Sequence, residues 1–279
     1  MAKRLTLHLQ QNTTLERVSA ILDFIENHPQ DDLEELASIC NLGVAVLQKN
    51  VFPFLRNISI LERQTKSPSL TPQGKVAVDI LQKHPDLLGE FFHSLIYQLH
   101  LQEPNKRFSW AYATVVQKLW ARQEVVLSMP EKKALVGETI ESASLQYQEP
   151  TSDIAFSDTS IAGILNWLRT LSPPVIEPQG KPEFFSRRYF CSAPVVVKSI
   201  DSIYKQQQRT YGVKIFLKEE IKDSICQMLV LDPSGLEGSL DNAKRTYDYD
   251  CGGFFDWGYE GGYGQWISLT KSPDWTELV

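Results

Sequence analysis

Three observations predict a mainly α chain that carries small β hairpins. Apolar residues recur at helical spacing through most of the sequence, as in Leu15, Val18, Ile21, Leu22 and Ile25. Short β-prone stretches such as Ile58-Ser-Ile-Leu and Val175-Ile-Glu lie beside polar, proline-bearing tips. The order helix, strand, polar tip, strand occurs in residues 44–71 and returns, loosely, in residues 161–190.

Leu5-Thr-Leu-His-Leu alternates like a strand and is expected to pair with the hairpin at 58–71. Thr13 or Thr14 opens a helix that His28-Pro29 ends, because the residue before proline is pushed out of the α region. Asp31 or Asp32 caps a second helix through Leu33, Leu36 and Ile39, and Asn41-Leu-Gly turns into a third. In that third helix Val44, Leu47 and Val51 face inward, leaving Gln48 and Lys49, with Asn50 and Phe52 beside them, on the outer side; Pro53 is expected to shorten it. Helix, turn, helix, strand, basic tip and strand together describe a winged helix over residues 1–83.

The middle, 84–156, predicts helices after Pro85 and over Phe108–Trp120 and Glu131–Leu145, and is expected to be a helical connector. Ser157-Asp-Thr-Ser then supplies N-cap chemistry for a helix from Ile161 to Leu171. A hairpin comes next, and residues 157–212 make a second winged-helix-like unit. Residues 213–279 predict helices over Leu217–Leu229 and Leu236–Lys244 and an irregular glycine-rich hairpin, an α+β unit that resembles a degenerate third copy. The fold class is therefore tandem winged-helix units joined by a helical middle.

At 279 residues, 42% hydrophobic and 22% charged, the chain has the composition of a soluble protein with more than one core. Its longest apolar runs fall far short of the roughly 20 residues of a membrane-spanning helix, and its N-terminus lacks a signal-peptide core, so a cytoplasmic protein without membrane association is expected. Cys40, Cys191, Cys226 and Cys251 stand apart with no CxxC pair, which points to neither zinc nor a disulfide framework. His93 and His100 lack HExxH spacing, and no phosphate loop or nucleophile elbow occurs, so neither metal nor cofactor nor catalytic residue is expected. The acids Asp153, Asp158 and those at 248–260 are read as solvated loops.

The net charge of −6 is unevenly spread: nine basic to nine acidic residues in 1–83, six to nine in 84–156, seven to four in 157–212, and six to twelve in 213–279. Only the third segment has the positive balance that phosphates attract.

Leu70-Thr-Pro-Gln-Gly-Lys after Ile60-Leu-Glu-Arg resembles the wing and following helix of bacterial winged-helix transcription regulators, over about residues 5–83. In that family the third helix enters the major groove and the wing meets the backbone or minor groove. The resemblance implies these roles for Gln48, Lys49, Asn50, Arg63 and Lys66. Lys181, Arg187, Arg188 and Lys198 form a second candidate set, on the local positive surplus. Arg187 and Arg188 are expected to alternate across a strand, so that only one faces outward. Between Cys251 and Trp266, Phe254, Phe255, Trp257, Tyr259 and Tyr263 stand among glycines and acids, a mixture suited to an adaptable protein contact.

These features suit two roles. The first is DNA binding without catalysis, in transcription regulation or a DNA-directed assembly, with duplex DNA as partner. The second is a subunit that docks protein partners, or further copies of itself, through winged helices in a complex such as those of bacterial defence or genome maintenance.

Overall fold

The computed structural model describes residues 4–28, 32–63, 67–177 and 182–279. The protein is mainly helical with small sheets. Along the chain, β1 (Leu5–Thr6), α1 (Leu15–Asn27) and α2 (Leu33–Ile39) precede one long helical run. That run is α3 (Val44–Val46), a π-helical turn (Leu47–Val51) and α4 (Phe52–Asn57). Next come α5 (Pro72–Lys83), α6 (Leu88–Gln102), α7 (Arg107–Arg122), β2 (Glu124–Val126), α8 (Met129–Tyr147), β3 (Ile154–Ala155) and α9 (Asp158–Leu168). The chain continues through β4 (Ile176–Glu177), β5 (Phe184–Ser186), α10 (Ala193–Gln206), β6 (Ile215–Phe216), α11 (Glu219–Leu229) and α12 (Leu236–Tyr247). It closes with the strands β7 (Phe255–Glu260) and β8 (Gly264–Leu269).

These elements form two compact units, Met1–Val115 with Leu127–Leu171, and Val116–Val126 with Ser172–Val279. The expected boundaries at 83/84 and 212/213 fall inside the first and second unit respectively.

In the first unit, the apolar stripe of α1 (Val18, Ile21, Leu22) is fully buried, as are Leu36 of α2 and Leu47 and Val51 of the π turn. Trp167 of α9 lies at the centre of an aromatic cluster, its ring 5.9 Å from Phe54 of α4 and 5.3 Å from Phe92 of α6. The expected wing is minimal: Leu61 and Leu70 form one antiparallel bridge, and the Glu62 N–H donates to the Ser69 carbonyl at 2.9 Å. Residues 64–66 at its tip, Lys66 among them, lie outside the described residues. β1 does not join this hairpin. It pairs in parallel with β3, Leu5 opposite Ile154 and Thr6 opposite Ala155, a non-local partner that local alternation could not reveal.

Pro53 does not shorten the third helix, which runs on to Asn57. A proline in a regular helix strikes the carbonyl four residues back and leaves it without a donor. Here the π turn directly precedes Pro53, and the Phe52 N–H reaches the Leu47 carbonyl, five residues back. The wider turn takes in an extra residue and rotates the rest of the helix, so Phe52, expected outside, is buried at 3% exposure.

The start of α5 explains the Thr-Pro-Gln-Gly motif. Thr71 Oγ1 accepts from the Gly74 N–H at 2.9 Å and donates to the Ser59 carbonyl at 2.6 Å, while Pro72 occupies the first turn, where its missing N–H costs nothing. A Cβ on Gly74 would stand 2.3 Å from the Ile60 carbonyl oxygen, so only glycine allows this helix so close to the hairpin.

In the second unit, β2, β5 and β4 form an antiparallel sheet with β5 central, and β6, β8 and β7 form another with β8 central. β2 comes from the stretch expected to be purely helical. Apart from β3, which lies between α8 and α9 and pairs with β1, the order helix, strand, helix, helix, strand, strand therefore occurs twice along the chain, as α7–β2–α8–α9–β4–β5 and as α10–β6–α11–α12–β7–β8. Both times the first strand pairs with the last. α10, expected to close the middle copy, is the opening helix of the last.

Gly74→Ala is expected to destabilise the protein by about 2 kcal/mol through overpacking. Gly137→Ala, at an exposed α8 position where an added Cβ meets nothing within 4 Å, should stabilise by about 0.5–1 kcal/mol. Paired urea titrations followed by far-UV circular dichroism check both signs.

Candidate docking and nucleic-acid surfaces

On the long helical run of the first unit, Gln48 and Lys49 are exposed and Asn50 is half-buried. Arg63 is exposed too and stands 4.0 Å from Glu103. Arg56 is turned back, its Nε donating to the Glu62 carbonyl at 3.2 Å. The first turn of α2 is acidic, with Glu34 and Glu35 exposed and their N–H groups capped by Asp32. This face combines a few polar and cationic side chains with carboxylates that repel phosphate.

The cationic set expected in the third segment has different work. Arg188 is 3% exposed; its Nε donates to the Leu229 carbonyl at 2.7 Å and its Nη1 to the Ser172 carbonyl at 3.0 Å. Its main chain donates to the Val230 carbonyl and accepts from the Asp232 N–H. These bonds hold Val230, a β-branched residue in the left-handed region at φ 51°, where the αL cap of a helix ordinarily takes glycine. Arg187 lies 3.9 Å over the Trp120 ring, donates to the Trp120 carbonyl at 2.7 Å and pairs with Asp232 at 3.4 Å. The two arginines come after β5 and do not alternate across it, so neither is presented outward. Lys181 lies outside the described residues.

Lys198 donates to Asp201 at 3.3 Å and to the Pro273 carbonyl at 3.0 Å, which ties α10 to the C-terminal segment. Asp201, 1% exposed, also accepts from Lys205 at 2.7 Å and from the Tyr211 hydroxyl at 2.7 Å. Burial alone would raise the Asp201 carboxyl, but the bonds from Lys205 and Tyr211 and the Lys198 charge outweigh it and hold the group below the usual carboxylate range. Tyr211, half-buried and bonded to that carboxylate, is pushed up to about 12 by partial burial and by that bond.

The last hairpin sorts its aromatics by strand register. Phe255, paired with Leu269, is fully buried, as are Ile267 and Leu269. Phe254 stacks on Tyr247 at 5.1 Å and lies beneath Lys271, and Trp257 is half-buried. Tyr259 and Tyr263 are the outward pair, 73% and 71% exposed. On the opposite face Trp266 passes across Gly258, where a Cβ would come 3.1 Å from the indole. Lys214 sits 4.1 Å over that indole and 2.8 Å from Glu260, while Phe216 meets Tyr263 at 5.5 Å. Trp266 and its register partner Phe216 thus form the other face of this hairpin and escaped sequence reasoning; alternation along Gly264-Gln-Trp-Ile was the signal that could have found Trp266. Exposed carboxylates lie on the same unit: Asp250 on the turn before β7, and on α12 Asp241 and Glu237, the latter accepting from Gln265 Nε2 of β8.

Among the described residues no group of three or more His, Cys, Asp or Glu side chains is arranged to hold a metal ion, and no helix is long and apolar enough to cross a membrane. Comparison with known protein families, curated proteins and solved structures finds no match.

Arg188→Met is expected to cost about 3 kcal/mol, because carbonyls at a strained helix end lose their donors, whereas Lys49→Ala should stay within about 0.5 kcal/mol; urea midpoints separate the two. Asp201→Asn should also destabilise at pH 7, by about 3 kcal/mol. Since the Asp201 pKa is depressed on folding, its contribution is present above the ordinary aspartate value and lost as pH falls through the folded one. The gap between variant and wild type should therefore begin to narrow in melts as pH falls from 7 through the ordinary aspartate value of about 4, and go on narrowing below it.

Proposed function

We propose that this chain is a docking subunit built from tandem winged helices, and that its last hairpin is a wing that contacts a protein partner. The twice-repeated element order, with the first strand paired to the last, supports the winged-helix reading. In it α12 takes the place of the recognition helix and β7–β8 that of the wing.

One observation carries the choice of protein over DNA. The arginines and the lysine closest to a phosphate-binding set, Arg187, Arg188 and Lys198, are engaged by internal carbonyls and carboxylates. The outward wing instead presents Tyr259 and Tyr263 next to Glu260, which pairs with Lys214, with the exposed carboxylates of Asp250, Glu237 and Asp241 on the same unit. Exposed tyrosines give large contact area at small entropic loss, and carboxylates beside them repel a nucleic-acid backbone while steering a basic protein surface. The chain then acts by binding, without catalysis.

A second reading, DNA contact by the first unit, is favoured by Gln48 and Lys49. Both are exposed on the helix that would enter a groove, and no carboxylate pairs with Lys49 among the described residues.

The two readings separate in one pair of measurements. Co-purification from the native host should lose its partner in the Tyr259→Ala/Tyr263→Ala variant and keep it in Lys49→Ala. A salt series on duplex DNA should show no saturable binding tighter than about 100 μM. Tight binding that falls steeply with salt and is removed by Lys49→Ala would replace the docking reading with the DNA one.

A further inference from the structure

The second unit contains a cleft of about 640 Å³ beside the wing, with which it shares Lys214 and Phe216. It opens between the C-terminal end of α10, β6 and the first turns of α11. Its apolar lining is Ile203 and Ile215, both buried, with Phe216 and Ile221 half-buried beside them. Its polar lining is Gln206, Gln207 and Ser224, its cations are Arg209, Lys214 and Lys218, and it has one carboxylate, Glu220.

The three cations differ. Lys214 already pairs with Glu260. Arg209 donates only to the Gln207 side chain, at 3.3 Å, and neither it nor Lys218 has a carboxylate partner among the described residues. Against these two exposed charges stands the single exposed carboxylate of Glu220, so the concavity keeps a net positive lining in a chain whose net charge is −6. Lys218 is also the N-cap of α11; its carbonyl accepts from the Ile221 and Lys222 N–H groups at 3.0 Å, and its side chain makes no cap bond.

We infer that this cleft binds a short acidic peptide segment with an apolar anchor residue. The volume falls within the range of sites that enclose small ligands or single peptide anchors. The lining supplies an apolar floor for the anchor, glutamine amides that can both donate to and accept from a peptide backbone, and two free cations for carboxylates. A nucleic-acid duplex is excluded by shape, because a convex phosphate backbone does not enter a concavity.

Fluorescence anisotropy of the full chain with a fluorescein-labelled Asp-Glu-Leu-Phe-Glu-Asp peptide tests this. At about 0.1 M salt the peptide should bind saturably, and Arg209→Glu/Lys218→Glu should weaken it at least about tenfold. Tyr259→Ala, which leaves the Tyr263–Phe216 contact in place, should leave it unchanged, so the cleft and the wing stand or fall separately. A thermal melt of the charge-reversed variant confirms folding, and the amidated peptide Asn-Gln-Leu-Phe-Gln-Asn, which leaves the protein untouched, should fail to bind. Absence of saturable binding, equal binding of the amidated peptide, or an unchanged affinity in the folded charge-reversed variant would overturn the inference. Displacement by inorganic phosphate or a single-stranded oligonucleotide at lower concentration than by unlabelled acidic peptide would overturn it too, and would assign the cleft to phosphates.

Discussion

The second unit depends on a buried guanidinium. Arg188 reaches the Leu229 and Ser172 carbonyls with its side chain and exchanges main-chain bonds with Val230 and Asp232. It thereby joins the end of β5 to the end of α11 at the point where the chain reverses. A charge so buried is tolerated only when its donors are satisfied, and a valine at positive φ persists only when its surroundings over-determine it. Each difficulty resolves the other: the strained turn exposes carbonyls that need donors, and the guanidinium needs acceptors. Asp201 repeats the arrangement with opposite sign, as a buried carboxylate held by two lysines and a tyrosine hydroxyl.

That arrangement bears on function through subtraction. Charge counting singles out the segment 157–212 as the basic part of the chain, yet several of its cations brace the fold. The surface that remains is read from the groups left outside: a tyrosine-bearing hairpin among carboxylates, and a cleft where Arg209 and Lys218 stay unpaired. A local charge balance describes a surface only after internal pairs have been removed from it.

Local chemistry made much of the fold legible. Helical periodicity marked α1, α7, α8, α9 and α11. Thr71, Pro72 and Gly74 marked the start of α5, because cap, first-turn proline and close-approach glycine act within four residues of one another. The features that escaped depend on distant partners. β1 finds β3 some 150 residues on, and the three-residue β2 carries no signal until β5 lies beside it. The internal bonding of Arg187 and Arg188 needs Trp120, Ser172 and the end of α11, none of them near in sequence. The site was therefore less legible than the scaffold: of the aromatic set only Tyr259 and Tyr263 are fully outward, and strand register, not composition, decides that.

The π turn at Leu47–Val51 has the character of a phase shifter. One extra residue in a helix advances everything after it by about 100° around the axis, so the run before Pro53 and the run after it are set to different faces. Gln48 and Lys49 can look out while Phe52, Phe54 and Leu55 look in, along what is still a single rod. A helix with a uniform turn would have to trade one face against the other. Here the proline that should have ended the helix marks the joint at which its outer and inner surfaces are tuned independently.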